Sequence, residues 1–367
     1  MKQIIYIFII LCTHIFSASV YAIDSERYVT IVNPVRSRIF WKDADSVKKQ
    51  IESISGRGIA ATWLFQYSTL TDQNAVELFR ELPSGNEFGI FLEIDENLAN
   101  DALVPYILGE GDWARADKVF LSGYTPVERK RLIDKLFFGF KNAFGYFPSS
   151  VGAWYIDSIS LNYMADKYQI KAVLDVSDQY QTDGYGSWGK PWGTPYYPSR
   201  LNSLIPAQTI QNKLDIVKIQ WAQRDPMLGY GLTVVDSTYS LQANDYVGHH
   251  GLNISYFETL AKDYLFSFNP LSQITIGLEV GQEGASYIDE FERQLETLIR
   301  FKEEANLKFV TVESFSTEFK KMYPENFPSF IIGGSHPYNP QAWAYWISTP
   351  YYRIGFQADA GRLKVRD

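Results

Sequence analysis

Short apolar runs, each followed by an amphipathic run, recur along most of this 367-residue chain, and that order limits its fold more than any single motif. YVTIVNPV (28–35) precedes DADSVKKQIESISGRG (43–58), where Asp43 or Asp45 can cap a helix start and Gly56 and Gly58 can end it. AATWLFQY (60–67) precedes TDQNAVELFREL (71–82), and EFGIFLEI (87–94) is the third apolar run. A helix expected over 125–145 opens on Thr125 and Pro126 with Glu128 three positions after Thr125, a capping-box pattern. SVGAWYID (150–157) leads to ISLNYMADKY (159–168), and KAVLDVSD (171–178) is the fifth run. After an irregular segment, DIVKIQWAQRD (215–225), QITIGLEVG (273–281) and LKFVTVESF (307–315) each precede a further helix-like stretch. Seven or eight such units predict an α/β fold, a (β/α) barrel of seven or eight parallel strands, with a doubly wound open sheet as the alternative. From Pro324 the pattern turns to Pro, Gly and aromatic residues, then to AYWIST and YYRIGFQ, which predict a short C-terminal β extension over 324–367.

The first 22 residues, MKQIIYIFIILCTHIFSASVYA, combine a basic start at Lys2, an apolar stretch and small residues before a cut after Ala22. They read as a secretory signal peptide, which predicts a secreted or periplasmic protein with its barrel over 23–323 and no membrane association after cleavage. Removing them leaves 345 residues with 33 basic and 42 acidic side chains and no cysteine. Export therefore serves no disulfide framework. An acidic chain without a basic run argues against a nucleic-acid partner.

In a parallel barrel the chemistry sits at the carboxyl ends of the strands. Those ends carry Asn33, Arg36 and Arg38, then Gln66, Glu93 and Asp95, then Asp157 and Asp178, then Gln220, Arg224 and Asp225, and finally Glu279, Glu283 and Glu313. In GNEFGIFLEID (85–95) the period of two predicts Glu93 and Asp95 on one side of a strand. Asp95, Asp178 and Glu313 also read as simple helix caps. Glu279, flanked by Leu278 and Val280, and Asp157, at the end of an apolar run, are the first candidates for catalysis, with Glu93 and Asp225 in reserve. Arg36 and Arg224 would tune their charge. Trp154, Trp188, Trp192, Tyr196, Tyr197 and Trp221 offer flat faces with polar edges suited to sugar rings. Taken singly, each of these aromatics is better read as a wall of a large domain; taken together, they are not.

The order of these segments resembles the polysaccharide deacetylase-like branch of the glycoside hydrolase/deacetylase β/α-barrel superfamily over residues 28–320. The resemblance rests on GNEFGIFLEID, similar to a third-strand Gly-His-Glu-Ile-Gly segment followed by two metal-binding histidines. It rests also on FPSSVGAWYIDSISLNYMADKYQIKAVL (147–174), similar to a strand with an Arg-Pro-Pro-Tyr-Gly type motif, a helix and an Ile-Lys-Ala-Val-like strand. The resemblance implies a metal-dependent deacetylase, yet its ligands do not carry over. The two histidines fall on Phe91 and Asp95, the aspartate pair near Asn33 and Pro34, and the late histidine on Glu279. Outside the signal segment the only histidines are His249, His250 and His336, so no metal site and no cofactor are expected.

Two functions follow from these readings. One is an exported carbohydrate-active enzyme that hydrolyses a polysaccharide or oligosaccharide through two rim carboxylates without the usual deacetylase metal. The other is a catalytically inactive glycan-binding protein on a deacetylase-like scaffold.

Overall fold

The computed structural model describes residues 25–41, 43–106, 115–175, 179–182, 187–189, 192–230, 238–327 and 329–366, with no side chain between 176 and 191. The expected signal segment, Asp178 and the Trp188 side chain lie outside this description.

Eight strands build the main sheet: β1 (Glu26–Val35), β2 (Thr62–Phe65), β3 (Glu87–Phe91), β4 (Ser150–Gly152), β5 (Ala172–Asp175), β6 (Val217–Gln220), β7 (Leu271–Ile276) and β8 (Leu307–Val310). Every pairing among them is parallel, in the order β8-β1-β2-β3-β4-β5-β6, with β7 also on β1. The first half of β1 pairs with β7 and β8, and its second half, from Val32 to Val35, pairs with β2. The result is a nearly closed barrel, as the strand-helix order predicts. Between β6 and β7 no ladder forms among the described residues, and the buried Gln223 side chain laces the gap. Its Nε2 donates to the Gln273 carbonyl at 3.3 Å and its Oε1 accepts the Thr275 N–H at 2.8 Å, so one amide does the pairing of a missing strand position.

The longer helices are α1 (Ala44–Ser55), α2 (Gln73–Arg80), α3 (Pro126–Phe144), α4 (Ser158–Tyr168), α5 (Ile254–Leu265), α6 (Gln282–Ala305) and α7 (Val312–Met322). Asp43 caps α1 through the Ser46 N–H, and Thr125 with Glu128 completes the capping box of α3. Alternation along β1 separates two apolar clusters: Val29, Ile31 and Val35 pack under the helices, while Tyr28 and Val32 join Leu64, Phe91 and Trp221.

Except for β1, which begins two residues before its run, the strands are shorter than the apolar runs that announce them. EFGIFLEI pairs only as far as Phe91, because the chain then turns, with the Glu93 N–H on the Phe91 carbonyl at 3.1 Å. The C-terminal residues form an antiparallel sheet of β9 (Phe330–His336), β10 (Asn339–Ser348), β11 (Arg353–Asp359) and β12 (Arg362–Arg366). It is fixed to the barrel by Trp346 Nε1 on the Pro226 carbonyl at 2.8 Å and by Asn269, whose amide exchanges two 2.9 Å hydrogen bonds with the Ile331 backbone.

Candidate functional site

Arg36, just past β1, lies at the barrel mouth and is nearly sealed from water. Its Nη2 and Nε both donate to Glu93 Oε1, at 2.7 and 3.2 Å, and its Nη1 reaches Glu279 Oε2 at 3.3 Å. Glu93 also accepts Gln66 Nε2 at 3.0 Å and Trp154 Nε1 at 3.0 Å. Burial pushes the Glu93 carboxyl above its ordinary value against the opposing pull of Arg36. The guanidinium in turn lies 3.7 Å from the centre of the Phe40 ring.

Glu279 follows β7 on a segment held against the end of β1. The Val280 N–H donates to the Pro34 carbonyl at 2.8 Å, and Gln50 of α1 bridges Asn33 Oδ1 and the Leu278 carbonyl at 3.0 Å each. Gly277 allows this approach, since a Cβ there would lie 1.8 Å from the Val32 carbonyl oxygen. Glu283, in the first turn of α6, accepts the Glu279 N–H at 2.6 Å. Burial, and next the negative charge of Glu279, hold the Glu283 carboxyl well above the ordinary carboxylate range. Both glutamates line a cavity of about 200 Å³ with Arg36, Trp154, Trp221 and Asn244. A shallower cavity of about 390 Å³ shares Arg36, Asn244, Glu279 and Glu283 and continues toward His249 and Tyr287.

Two features finish the cavity. Trp154 and Trp221 stand 5.5 Å apart at 42°, each edge-on to Phe91, and Gly152 leaves room for the Trp221 ring, which a Cβ would meet at 2.8 Å. Opposite them a π-helical turn, Asn244–His249, begins with Asn244, whose Oδ1 is buried and meets no hydrogen-bond donor among the described residues. An orphaned acceptor beside a cavity wants a donor from a ligand or water.

The structure thus gathers Glu93, Glu279, Arg36, Trp154 and Trp221 from the sequence candidates into one site, and adds Glu283 and Asn244. Glu283 was legible only as one more rim acid, and Asn244 carried no signal, because a π-turn has no sequence period of its own. The other candidates sit elsewhere. Asp157 caps α4 through the Ser160 N–H and is ion-paired with Arg129 at 2.8 Å; Asp95 likewise caps a short helix through the Leu98 N–H. Strand-end acids so placed are consumed by backbone donors. Arg224 pairs with Asp245 at 2.9 Å and holds the π-turn. Asp225 belongs to a second cavity. Trp192 donates to the Thr349 carbonyl at 2.6 Å, and Tyr196 and Tyr197 are fully buried with their hydroxyls on the Ser203 and Tyr323 carbonyls. Tyr196 and Tyr197 are packing, because their rings are enclosed, and none of these three rings lines the cavity at the barrel mouth.

The resemblance to polysaccharide deacetylases implies a divalent metal, and the residues at the positions it assigns do not fit one. Asn33 Oδ1 accepts Gln50 and the Leu278 N–H, Phe91 offers only a ring, and Asp95 is committed to the Leu98 and Ser68 N–H groups. Among the described residues no group of three or more His, Cys, Asp or Glu has the geometry to hold a metal ion.

A nearly closed parallel barrel whose acids and arginine meet at the carboxyl ends of its strands places the chain among the β/α barrels. A solved structure from Parabacteroides distasonis, described as a candidate glycoside hydrolase/deacetylase, has this fold, with a TM-score of 0.68, 16% identity, and coverage of 94% of this chain and 85% of its own. A polysaccharide deacetylase candidate from Pseudomonas aeruginosa PAO1 matches with a TM-score of 0.47 and 12% identity over 82% of this chain and 93% of its own. The chain itself belongs to the family described as a Domain of Unknown Function with solved-structure structure (DUF3863), whose model matches residues 141–330. No curated protein matches it. Among the described residues no helix is long and apolar enough to cross a membrane.

Proposed function

We propose that this protein is an exported, carbohydrate-active hydrolase that works on a polysaccharide or oligosaccharide at the barrel mouth. The observation that carries the reading is the meeting of Glu279 and Glu283 in a cavity walled by Trp154 and Trp221, beside the unpartnered Asn244 Oδ1. The two tryptophans give a sugar ring a C–H stacking wall, and Asn244 accepts a sugar hydroxyl. Hydrolysis of a glycosidic bond requires a proton donor and a second carboxyl group, and these two acids can fill those roles. Glu283, held protonated by burial, donates its proton to the leaving oxygen, and Glu279, ion-paired with Arg36, attacks the anomeric carbon or takes a proton from water. Glu93 fixes Arg36 and Trp154, and Asp157 acts at a distance by anchoring α4. The description of the Parabacteroides distasonis protein supports the same substrate class.

A glycan panel with product analysis by mass spectrometry tests this reading. Cleavage by the wild type that is abolished in Glu279→Gln and retained in Asp157→Asn is the expected outcome. The second reading, a glycan-binding protein without turnover, is favoured by Phe91 standing where the deacetylase resemblance places a ligand. Affinity on the panel without any product would establish it in place of the first.

A further inference from the structure

A second cavity, of about 430 Å³, opens between α5 and the turn that joins β9 to β10, away from the barrel mouth. Asp225 and Asp263 stand on its barrel side, and His336, Pro337, Tyr338 and Pro340 close it from the C-terminal sheet. Asp225 is buried and committed: Oδ1 accepts the Met227 and Leu228 N–H groups at 2.9 Å each, and Oδ2 accepts the Tyr256 hydroxyl at 3.0 Å. Asp263 is different. No hydrogen bond or ion pair reaches its carboxyl among the described residues, and the adjacent Lys262 turns instead to Glu258 at 2.6 Å. The backbone of β9 passes over it so closely that a Cβ on Gly334 would lie 2.7 Å from Asp263 Oδ2. His336 Nδ1 accepts the Tyr338 N–H at 3.1 Å, which leaves its proton on Nε2.

We propose that this cavity binds a small organic primary amine, with the ammonium on the Asp263 carboxyl and the body of the molecule against Tyr338, Pro337 and Pro340. Two carboxyl groups face the space, and no lysine or arginine lines it. An anion is therefore repelled, and a neutral polyol leaves the charge of Asp263 without a partner. A bare divalent cation is poorly served, since the oxygens of Asp225 are spoken for and no third acid completes a ligand set. An ammonium brings both the charge and the three donors that the carboxyl lacks. Burial, with Asp225 adding its negative charge, pushes Asp263 up to about 7, in keeping with a carboxyl that awaits a cation. The other titratable groups around it are Asp225, Tyr256, His336 and Tyr338.

Calorimetric titration of the whole protein at pH 8 with benzylamine, glucosamine and benzyl alcohol tests the proposal. Benzylamine or glucosamine should bind at least tenfold more tightly than benzyl alcohol, and whichever amine binds better tells an apolar amine from a sugar amine. Asp263→Asn should weaken amine binding at least tenfold. Thr259→Trp, which fills the cavity from the exposed face of α5, should block binding without touching either carboxyl. Glu279→Gln should bind as the wild type does, which separates this site from the barrel mouth. Equal binding of benzyl alcohol, full affinity in Thr259→Trp or Asp263→Asn, loss of binding in Glu279→Gln, or no binding of either amine up to about 10 mM would each overturn it.

Discussion

Arg36 Nη2 stands 2.7 Å from Glu93 Oε1, with both side chains almost fully enclosed. The same guanidinium reaches Glu279 at 3.3 Å, so one cation joins acids delivered by the segments after β3 and β7. These segments lie far apart in sequence, and their meeting is the product of the barrel. A buried guanidinium with two carboxyl partners holds its site in one geometry only while all three groups are present.

Replacing Arg36 by methionine leaves Glu93 buried without its cation. The expected cost is about 3–5 kcal/mol of stability, because an uncompensated charge remains inside the protein. Combining Arg36→Met with Glu93→Gln should recover a good part of that loss. Urea unfolding of the three variants measures both. A single variant as stable as the wild type would mean that the mouth does not depend on this pair.

Gly277 gives the second prediction, because it determines where Glu279 can be. A Cβ at this position would lie 1.8 Å from the Val32 carbonyl oxygen, and backbone cannot yield as a flexible side chain does. Gly277→Ala should push the Leu278 and Glu279 segment off β1, costing roughly 1–3 kcal/mol. It should also weaken any ligand held at the mouth. Thermal melts and the fluorescence change of Trp154 and Trp221 on adding a ligand report the two effects separately.

The strand-helix order of the barrel was legible because each apolar run marks one strand and each amphipathic run one helix. The rim was legible as a list of acids, and the list did not say which of them enter the mouth. Asp95 and Asp157 also follow their strands, but each is followed by a helix whose free N–H groups claim it. Glu93 precedes no helix start, and Arg36, Gln66 and Trp154 take it inward instead. The fate of Tyr197 depended on the Tyr323 carbonyl, far along the chain, which no local pattern encodes.

Lys218 and Asp175 form the most deeply buried ion pair among the described residues, 2.6 Å apart on the neighbouring strands β6 and β5, with 1% and 0% of their side chains exposed. Lys218 Nζ also donates to the Ser203 carbonyl at 3.0 Å, which ties the long segment before β6 to the sheet. Lys218→Met should cost about 3–5 kcal/mol and make the segment around Ser203 open to proteolysis. Lys218→Met with Asp175→Leu should restore much of the stability, since neither charge is then left alone. Denaturant midpoints and limited proteolysis of the single and double variants distinguish the pair from simple packing.

The stability of the molecule should fall as pH rises from about 4 to 7, and Asp263 should account for part of that fall. Its carboxyl is pushed up to about 7 in the folded protein by burial and by Asp225, whereas in the unfolded chain it titrates near the ordinary value of about 4. Between those values the folded state keeps a proton that the unfolded state has released, so each step up in pH favours unfolding, and above the folded value the effect levels off. The full difference is on the order of 4 kcal/mol. Glu93, Asp225 and Glu283, all raised by burial, act in the same direction, so the wild-type profile alone does not isolate Asp263. Asp263→Asn does: it should match the wild type near pH 4 and exceed it at pH 8, with the gap opening across the window. Thermal melts at half-unit pH steps read this gap, and a constant offset between the two proteins would show that Asp263 keeps its ordinary acidity in the fold.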